Sequence, residues 1–351
     1  MVIAGAIIGG VVGSLISNRK NANKESFNDD DKGDLSIDSS EIKKLLNNPD
    51  LHKVFPGMDY TPMNTQYPDC KENPPSQNNV TRDVAVLSQL TNTIRLYGTD
   101  CNQVQMVLHA LKQLKMEDDI KLWMGVWQDD DDKTNKRQLQ QMWDILDKYG
   151  DKPFKGIIMA NEILFREQMT VSALGDLMAD TRKKLSAKGL KLPVATSDLG
   201  NKWDKSLTDI SDYVMANVHP FFSGTPADES AKWTLDYFRN NDETYLTDKT
   251  KGIIAETGWP TGGGTACPPP QTTCSQGSVA GIDGLNEFMD GWVCSSLEKN
   301  INYFWFSAFD EPWKVRFNQK GQEWEDKWGL MDVDRNLKKG VKIPDCGGKT
   351  I

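Results

Sequence analysis

Histidine is scarce in this sequence, three in 351 residues, and none stands at metal-ligand spacing from a cysteine. No two cysteines form a C-x-x-C pair either, which argues against zinc, so no metal and no cofactor is expected. An excess of basic charge is missing: 41 Lys+Arg face 50 Asp+Glu, for a net charge of −9. Affinity for a phosphate backbone comes largely from basic residues, so no nucleic-acid partner is expected, whereas a neutral polysaccharide suits this balance. No glycine-rich fingerprint opens a first helix, which argues against a dinucleotide-binding open sheet.

What is present begins with residues 1–18, MVIAGAIIGGVVGSLISN, which carry no side-chain charge. As a helix they span about 27 Å, just short of a hydrocarbon core of about 30 Å. Gly5, Gly9 and Gly13 repeat in the small-xxx-small pattern of packed membrane helices. Neither a basic leader nor a clear cleavage site precedes the mature chain, so a signal peptide fits poorly. The segment reads as a membrane anchor; a cleaved export signal or an apolar tail is the alternative. Arg19 and Lys20 after it would favour the cytoplasmic side, against an extracellular enzyme, but only two charges carry that bias. Residues 19–50 read as a polar stalk, disordered from Arg19 to Leu35. Within it Asp38 is expected to cap a short helix through Leu46, with Glu41 as the reciprocal partner and Pro49 as the stop.

Residues 51–346 repeat one pattern eight times: a short apolar or β-branched run, a polar loop, then a helical stretch. The runs are His52–Asp59, Thr93–Tyr97, Ile120–Trp127, Gly156–Glu162, Leu192–Asp198, Tyr213–Phe221, Gly252–Glu256 and Ile301–Phe306. Strands alternating with helices predict a parallel sheet with right-handed crossovers, and eight units predict closure into a (β/α)8 TIM barrel. Active sites on that fold sit at the C-terminal rim of the strands. The strand ends expected within these runs are Asp59–Tyr60, Tyr97, Trp127, Asn161–Glu162, Asp198, His219, Glu256 and Trp305, nearly all acids or aromatics.

Two of these ends carry the expected chemistry. GIIMANE and GIIAETGWP are each an apolar strand ending in an acid, Glu162 and Glu256. An acid beside apolar residues has a raised pKa, which suits a general acid. Strands 4 and 7 of a barrel face each other obliquely across the mouth. Two carboxyls about 5–5.5 Å apart there would perform retaining glycoside hydrolysis, and wider spacing would mean inversion. Tyr97 is placed to hydrogen-bond the ionised acid. His219 lines the pocket or is a satisfied core histidine. Trp305 is expected to floor the sugar at the cleavage point, with Phe221, Phe222, Trp259 and Trp313 stacking further units. Asp310–Glu311 and Lys314 read as an ion-pair cluster on the rim, and Asp129–Asp132 as a solvated acidic loop.

Residues from about Val54 to Trp328 resemble glycoside hydrolase family 17, in its fungal cell-wall branch of endo-β-1,3-glucanases and glucanosyltransferases. RLYGTDC (Arg95–Cys101), IIMANE (Ile157–Glu162), ANVHPFF (Ala216–Phe222), IIAETGWPTGG (Ile253–Gly263) and FWFSAFDEPWK (Phe304–Lys314) carry the resemblance. It implies Glu162 as acid/base, Glu256 as nucleophile and Asn161 as the contact to the hydroxyl beside the reacting carbon. It also implies a β-1,3-glucan substrate and, through the membrane-anchored members, a catalytic domain on the outer face of the cell. The rivals are transfer to a second sugar chain, a silent wall-binding barrel, and a Schiff-base aldolase. Both carboxylates are present, against the silent barrel; Lys251 lies at the wrong end of its strand for the aldolase.

An even count of six cysteines in a chain that starts with a membrane-like segment points to disulfides in an oxidising compartment. Many pairings are open. Cys70 and Cys101 both fall in rim loops beside strands 1 and 2, and Cys267–Cys274 looks like a short loop staple, leaving Cys294–Cys346. Asn79-Val80-Thr81 is a glycosylation sequon, relevant only to a secreted chain.

Overall fold

The computed structural model describes residues 33–351. The anchor-like segment 1–18 and the stalk through residue 32 lie outside the described residues. Among the described residues no helix is long and apolar enough to cross a membrane.

Eight parallel strands close into a barrel: β1 (Met58–Asp59), β2 (Thr93–Arg95), β3 (Lys121–Val126), β4 (Phe154–Asn161), β5 (Val194–Leu199), β6 (Val214–Asn217), β7 (Gly252–Thr257) and β10 (Tyr303–Trp305). A two-stranded antiparallel hairpin, β8 (Thr265–Ala266) with β9 (Ser278–Val279), sits between β7 and the last helix. Each barrel strand falls inside or within two residues of an expected run. The first is shorter than expected because Pro56 and Gly57 interrupt it; a Cβ on Gly57 would stand 2.5 Å from the Phe304 ring. The sixth stops at Asn217 because Pro220 opens a 3₁₀ turn.

Helices surround the barrel in the expected alternation: α1 (Ser40–Leu45), α2 (Gln77–Leu87), α3 (Gln103–Gln113), α4 (Asp132–Tyr149), α5 (Val171–Ala187), α6 (Lys205–Ile210), α7 (Ala227–Tyr237) and α8 (Ile282–Glu298). Side-chain caps start several of them. Ser76 accepts from Asn79 N at 3.2 Å, Asp131 from Lys133 N at 3.0 Å and Thr170 from Ala173 N at 3.2 Å, each satisfying a donor the helix leaves open. The acidic loop before α4 is therefore partly a cap. Asp129 also accepts from the Trp127 indole at 3.2 Å, and no metal-holding cluster occurs among the described residues.

The three disulfides pair as expected: Cys70–Cys101, Cys267–Cys274 and Cys294–Cys346. The first joins the loops after β1 and β2, the second closes the β8–β9 loop, and the third ties the C-terminal tail to α8. The folded unit extends past residues 51–346 at both ends. The Ile351 amide bonds Lys53 O at 3.0 Å, and residues 33–50 lie on α2 and α3. Asn78 Nδ2 donates to Gly33 O at 3.0 Å, the Ile37 amide bonds Gln113 O at 3.1 Å, and Glu41 pairs with Arg82 at 2.6 Å. Ile42 is completely buried. This part of the expected stalk is thus packed structure. Composition misjudged it because one apolar residue per turn is enough to dock a short helix.

The cap of α1 also differs from expectation. Ser39, not Asp38, holds the N-cap position and makes no side-chain cap bond, because its hydroxyl accepts from the Ser36 amide at 3.0 Å. Glu41 is taken by Arg82. Asn79, the sequon residue, lies in the first turn of α2 with Oδ1 bonded by Arg82 at 2.9 Å and Arg335 at 3.2 Å. That is a packed helix position and not the surface loop glycosylation favours.

Ile42→Ala should destabilise the folded chain by about 2–5 kcal/mol, the usual cost of emptying a buried aliphatic site. Thermal unfolding of the variant checks this; an unchanged midpoint would return residues 33–50 to the status of a loose tail.

Candidate active site

The end of β4 is bent. Ala160 and Glu162 hold φ of 69° and 55°, the left-handed region that L residues rarely occupy. The pairing of β4 with β5 shifts register between Ile158 and Asn161. An irregularity of this kind re-aims side chains at a barrel rim. Here it delivers Asn161 and Glu162 in succession to the mouth. The Glu162 amide is held by Ser197 O at 2.8 Å, and its carboxyl accepts from Asn217 Nδ2 at 2.8 Å. Ser197 fixes Asn217 in turn, its hydroxyl donating to the amide oxygen at 2.8 Å.

Glu256, on β7, is surrounded by donors. The Tyr97 hydroxyl reaches Oε1 at 2.8 Å, Arg95 Nη1 reaches the same oxygen at 3.3 Å, and His219 Nε2 reaches Oε2 at 3.2 Å. Arg95 also donates to Asn161 Oδ1 at 2.8 Å and lies 3.5 Å from Asp59. Asn161 Oδ1 takes a second donor, Asn217 Nδ2, at 3.2 Å. With its oxygen occupied twice, Asn161 keeps its amide nitrogen to donate to another group. Beneath the site, Gly258 lets β7 approach β10 closely; a Cβ there would fall 1.9 Å from Phe306 O.

These surroundings push the two carboxyls apart. Burial first, then the nearby Glu256 charge, raises Glu162 from 4.5 to about 7. Burial also works to raise Glu256, but the His219 hydrogen bond, the Arg95 charge and the Tyr97 hydrogen bond outweigh it and hold the group below its ordinary value. Burial lifts Asp59 well above its ordinary value, against the lowering effect of the Arg95 charge. At neutral pH the site holds one ionised acid and one poised to give up a proton.

Of the residues expected from sequence, Asn161, Tyr97, His219, Glu162 and Glu256 converge here. Phe222 and Trp313 are half-buried in the loops after β6 and β10. Phe221, Trp259 and Trp305 are completely buried and have no ring face left for a sugar. Trp305 packs on Phe55 and Phe288, and Trp259 on Phe221 and Phe288, with its indole donating to Val279 O at 3.0 Å. The aromatics were misplaced because they read as rim residues while the last strand and the turn after β7 turn them into the wall. The acidic cluster on the rim resolves into two pairs, Lys314–Glu311 at 2.6 Å and Lys338–Asp310. Arg95, Asp59, Asn217 and Arg166 join the site without a role that the sequence pattern assigns to them. A charge inside an apolar strand, as in TIRL, was the signal available for Arg95.

The geometry can be set beside known proteins. A family model described as the BtgE/BtgC glycoside hydrolase domain matches residues 57–329. A probable glucan endo-1,3-beta-glucosidase btgC of Aspergillus flavus is 54% identical across 99% of this chain and 53% of its own length. The glucan endo-1,3-beta-glucosidase btgC of Emericella nidulans is 53% identical across 92% of this chain and 51% of its own length. This chain therefore spans about half the length of these curated relatives. Among solved structures, an active-site mutant of the Rhizomucor miehei beta-1,3-glucanosyltransferase in complex with laminaritriose superposes with a TM-score of 0.68 at 25% identity, covering 83% of this chain and 97% of that one. The same transferase is described as a member of glycoside hydrolase family 17. An endo-laminarinase from Formosa shares the fold at a TM-score of 0.62 and 16% identity, over 86% of this chain and 92% of that one.

The raised Glu162 has a consequence for stability. The folded chain binds this proton more tightly than the unfolded chain does, so the associated stability is present at low pH. It is lost as pH rises from 4.5 through about 7. Glu162→Gln removes the titration while keeping the oxygen that Asn217 bonds. The variant should gain melting temperature relative to the parent across that window and hold a constant difference above it. A pH-independent difference in paired melts would contradict the buried, proton-holding acid.

Proposed function

Since this chain belongs to the BtgE/BtgC glycoside hydrolases of family 17, we propose that it cleaves β-1,3-glucosidic bonds of β-glucan with retention of configuration. One observation carries the reading: two carboxyls share one hydrogen-bonded cluster through Arg95, Asn161 and Asn217, and their surroundings shift them in opposite directions, Glu162 up to about 7 and Glu256 below its ordinary value. That division of labour is what a glycosidic bond requires. Glu162 gives its proton to the departing oxygen as the bond from C1 breaks. The Glu256 carboxylate adds to C1 and forms a glucosyl ester. In the second half Glu162, now ionised, takes a proton from an attacking water as the water oxygen bonds C1, and Glu256 leaves as a carboxylate. Tyr97, Arg95 and His219 keep Glu256 ionised and oriented before attack. Asn161, whose free donor is its amide nitrogen, contacts the hydroxyl beside the reacting carbon.

Transfer to a second sugar chain is the alternative second half, because the ester accepts any positioned hydroxyl. Half-buried Trp313 and Phe222 favour it as surfaces for an acceptor, and the superposed Rhizomucor enzyme is named for transfer. A bound acceptor gains from fixed position in a way bulk water does not. Three disulfides and no free cysteine among the described residues support action in an oxidising compartment outside the cytosol. Residues 1–18 are read as the tether that holds the barrel at the outer membrane face.

Glu162→Gln and Glu256→Gln should each lower turnover of a linear β-1,3-glucan by at least about 10²–10⁴-fold while the fold survives. Near-full turnover in either variant would remove the assignment. With the parent enzyme, NMR of the first product should show the β anomer. Chains longer than the starting oligosaccharide should increase with its concentration. Shorter chains alone would leave a plain hydrolase, and an inverted product would sink the covalent route. The alkaline limb of kcat/KM should fall near pH 7, set by Glu162, and the acid limb below the ordinary carboxylate range, set by Glu256.

A further inference from the structure

We infer that Arg166 is a positioning residue for the acid: it straps the end of β3 to the end of β4 and locks the left-handed bend from which Glu162 works. The inference rests on the reading of Glu162 as the proton donor. Its physical basis is a count of what holds the two peptide groups that flank the Glu162 Cα.

The peptide before Glu162 consists of the Asn161 carbonyl and the Glu162 amide. Arg166 Nη2 donates to that carbonyl at 2.9 Å, and the amide donates to Ser197 O at 2.8 Å. The carbonyl after the Glu162 Cα accepts from the Arg166 backbone amide at 2.9 Å. Arg166 therefore grips both sides of a residue whose φ is 55°, two positions beyond Ala160 at 69°. Conformations of this kind persist only where the surroundings over-determine them.

The same Nη2 also donates to Gln128 O at 2.9 Å, just past β3. The guanidinium lies over the Trp127 ring at 4.4 Å, and Nη1 donates to Gln168. A planar group that stacks on an indole and bridges two carbonyls is a task for arginine; the compact ammonium of lysine lacks the plane and the fork. The strap also sets a charge. Glu162 faces the acids Glu256 and Asp198 and the cations Arg166 and Arg95, and Arg166 itself faces Asp129 and Asp130 as well.

The test uses Arg166→Met and Arg166→Lys in the full chain, with Glu162→Gln alongside. On a β-1,3-linked oligosaccharide, Arg166→Met should lose about 10²-fold in kcat with little change in KM, the scale expected when a reacting group is misplaced by about 1 Å. Its alkaline limb should move to higher pH, because one of the cations facing Glu162 is gone while Arg95 remains. If the substitution merely opened the site to water, relief of burial would move that limb lower, which would overturn the proposal. A β-glucosyl oligosaccharide carrying a dinitrophenyl leaving group needs no protonation on departure. Its dinitrophenolate burst should therefore stay within a few-fold of the parent rate. An equal loss in the burst and on the natural linkage would also overturn it, as would parental kcat in a folded variant. Should Arg166→Met fail to fold, Arg166→Lys carries the kcat and burst readouts with an expected kcat loss of roughly tenfold; its alkaline limb should stay near the parental position because the cation is kept, and parental kcat there counts against the strap. Glu162→Gln separates the two claims: if it turns over the natural linkage at the parental rate, the acid assignment fails, whatever Arg166 does.

Discussion

Arg95 is a guanidinium with 1% of its side-chain surface exposed, in the interior of a barrel, and the rest of the site answers to it. A buried charge is costly unless it is paired and hydrogen-bonded. Arg95 is paired through its two Nη groups, which reach the Ala255 carbonyl and Glu256 on β7 and Asn161 on β4, while its Nε has no hydrogen-bond partner. The two strand ends that carry the acids are thereby joined through one cation. The cation then helps to set which acid is ionised, second to the His219 hydrogen bond. Glu256 collects donors from Arg95, Tyr97 and His219, whereas Glu162 has one side-chain donor, the Asn217 amide. Three against one is enough to separate two groups alike in chemistry, of which Glu256 is buried and Glu162 half-buried.

The buried aromatics serve the same arrangement from the other side. His219 sits edge-on to Phe222, Phe306 and Trp328. Phe221 packs in turn against Trp259, Trp324 and Trp328. Rings this closely interlocked leave few alternative rotamers, so the imidazole stays aimed at Glu256. The aromatic content that suggested sugar platforms is spent mainly on this wall. Trp127, half-buried under Arg166, with Phe222 and Trp313, is what the mouth retains.

Much of this was legible in the chain. The eight apolar runs gave the barrel because each strand of a parallel sheet must be apolar on both faces, and that leaves a plain mark. Glu162 and Glu256 stood out for the converse reason, as acids closing apolar strands, although Asp198 ends its strand in the same way and instead holds the Leu164 and Phe165 amides. The family resemblance added Asn161, which local pattern alone would not have singled out. Three kinds of fact were not legible. Depth was one, since Trp305 and Trp313 look alike in sequence and differ entirely in burial. Docking of residues 33–50 was another, because it depends on partners such as Arg82 and Gln113 that lie far along the chain. Backbone sign was the third. Ala160 and Glu162 are not residues that announce a left-handed bend, and only the contacts around them impose it.

The like-charge contact between the acids has a further role on the proposed route. Glu162 must first hold a proton and later accept one, and a fixed environment serves only one of these tasks well. Glu256 is among the causes that raise Glu162, second to burial. Once Glu256 has become a glucosyl ester its charge is gone, and that cause disappears while Asn217 and Arg166 remain. Glu162 then ionises more readily, at the stage when a base is wanted. When the ester is released the Glu256 charge returns and the proton is held again. The cycle needs no moving part, only two carboxyls close enough to sense each other and a backbone stiff enough to keep them there. On this view the bend at residues 160–162 and the pairing of Arg95 belong to one device, since relaxing either would weaken the coupling that lets a single carboxyl act as acid and then as base.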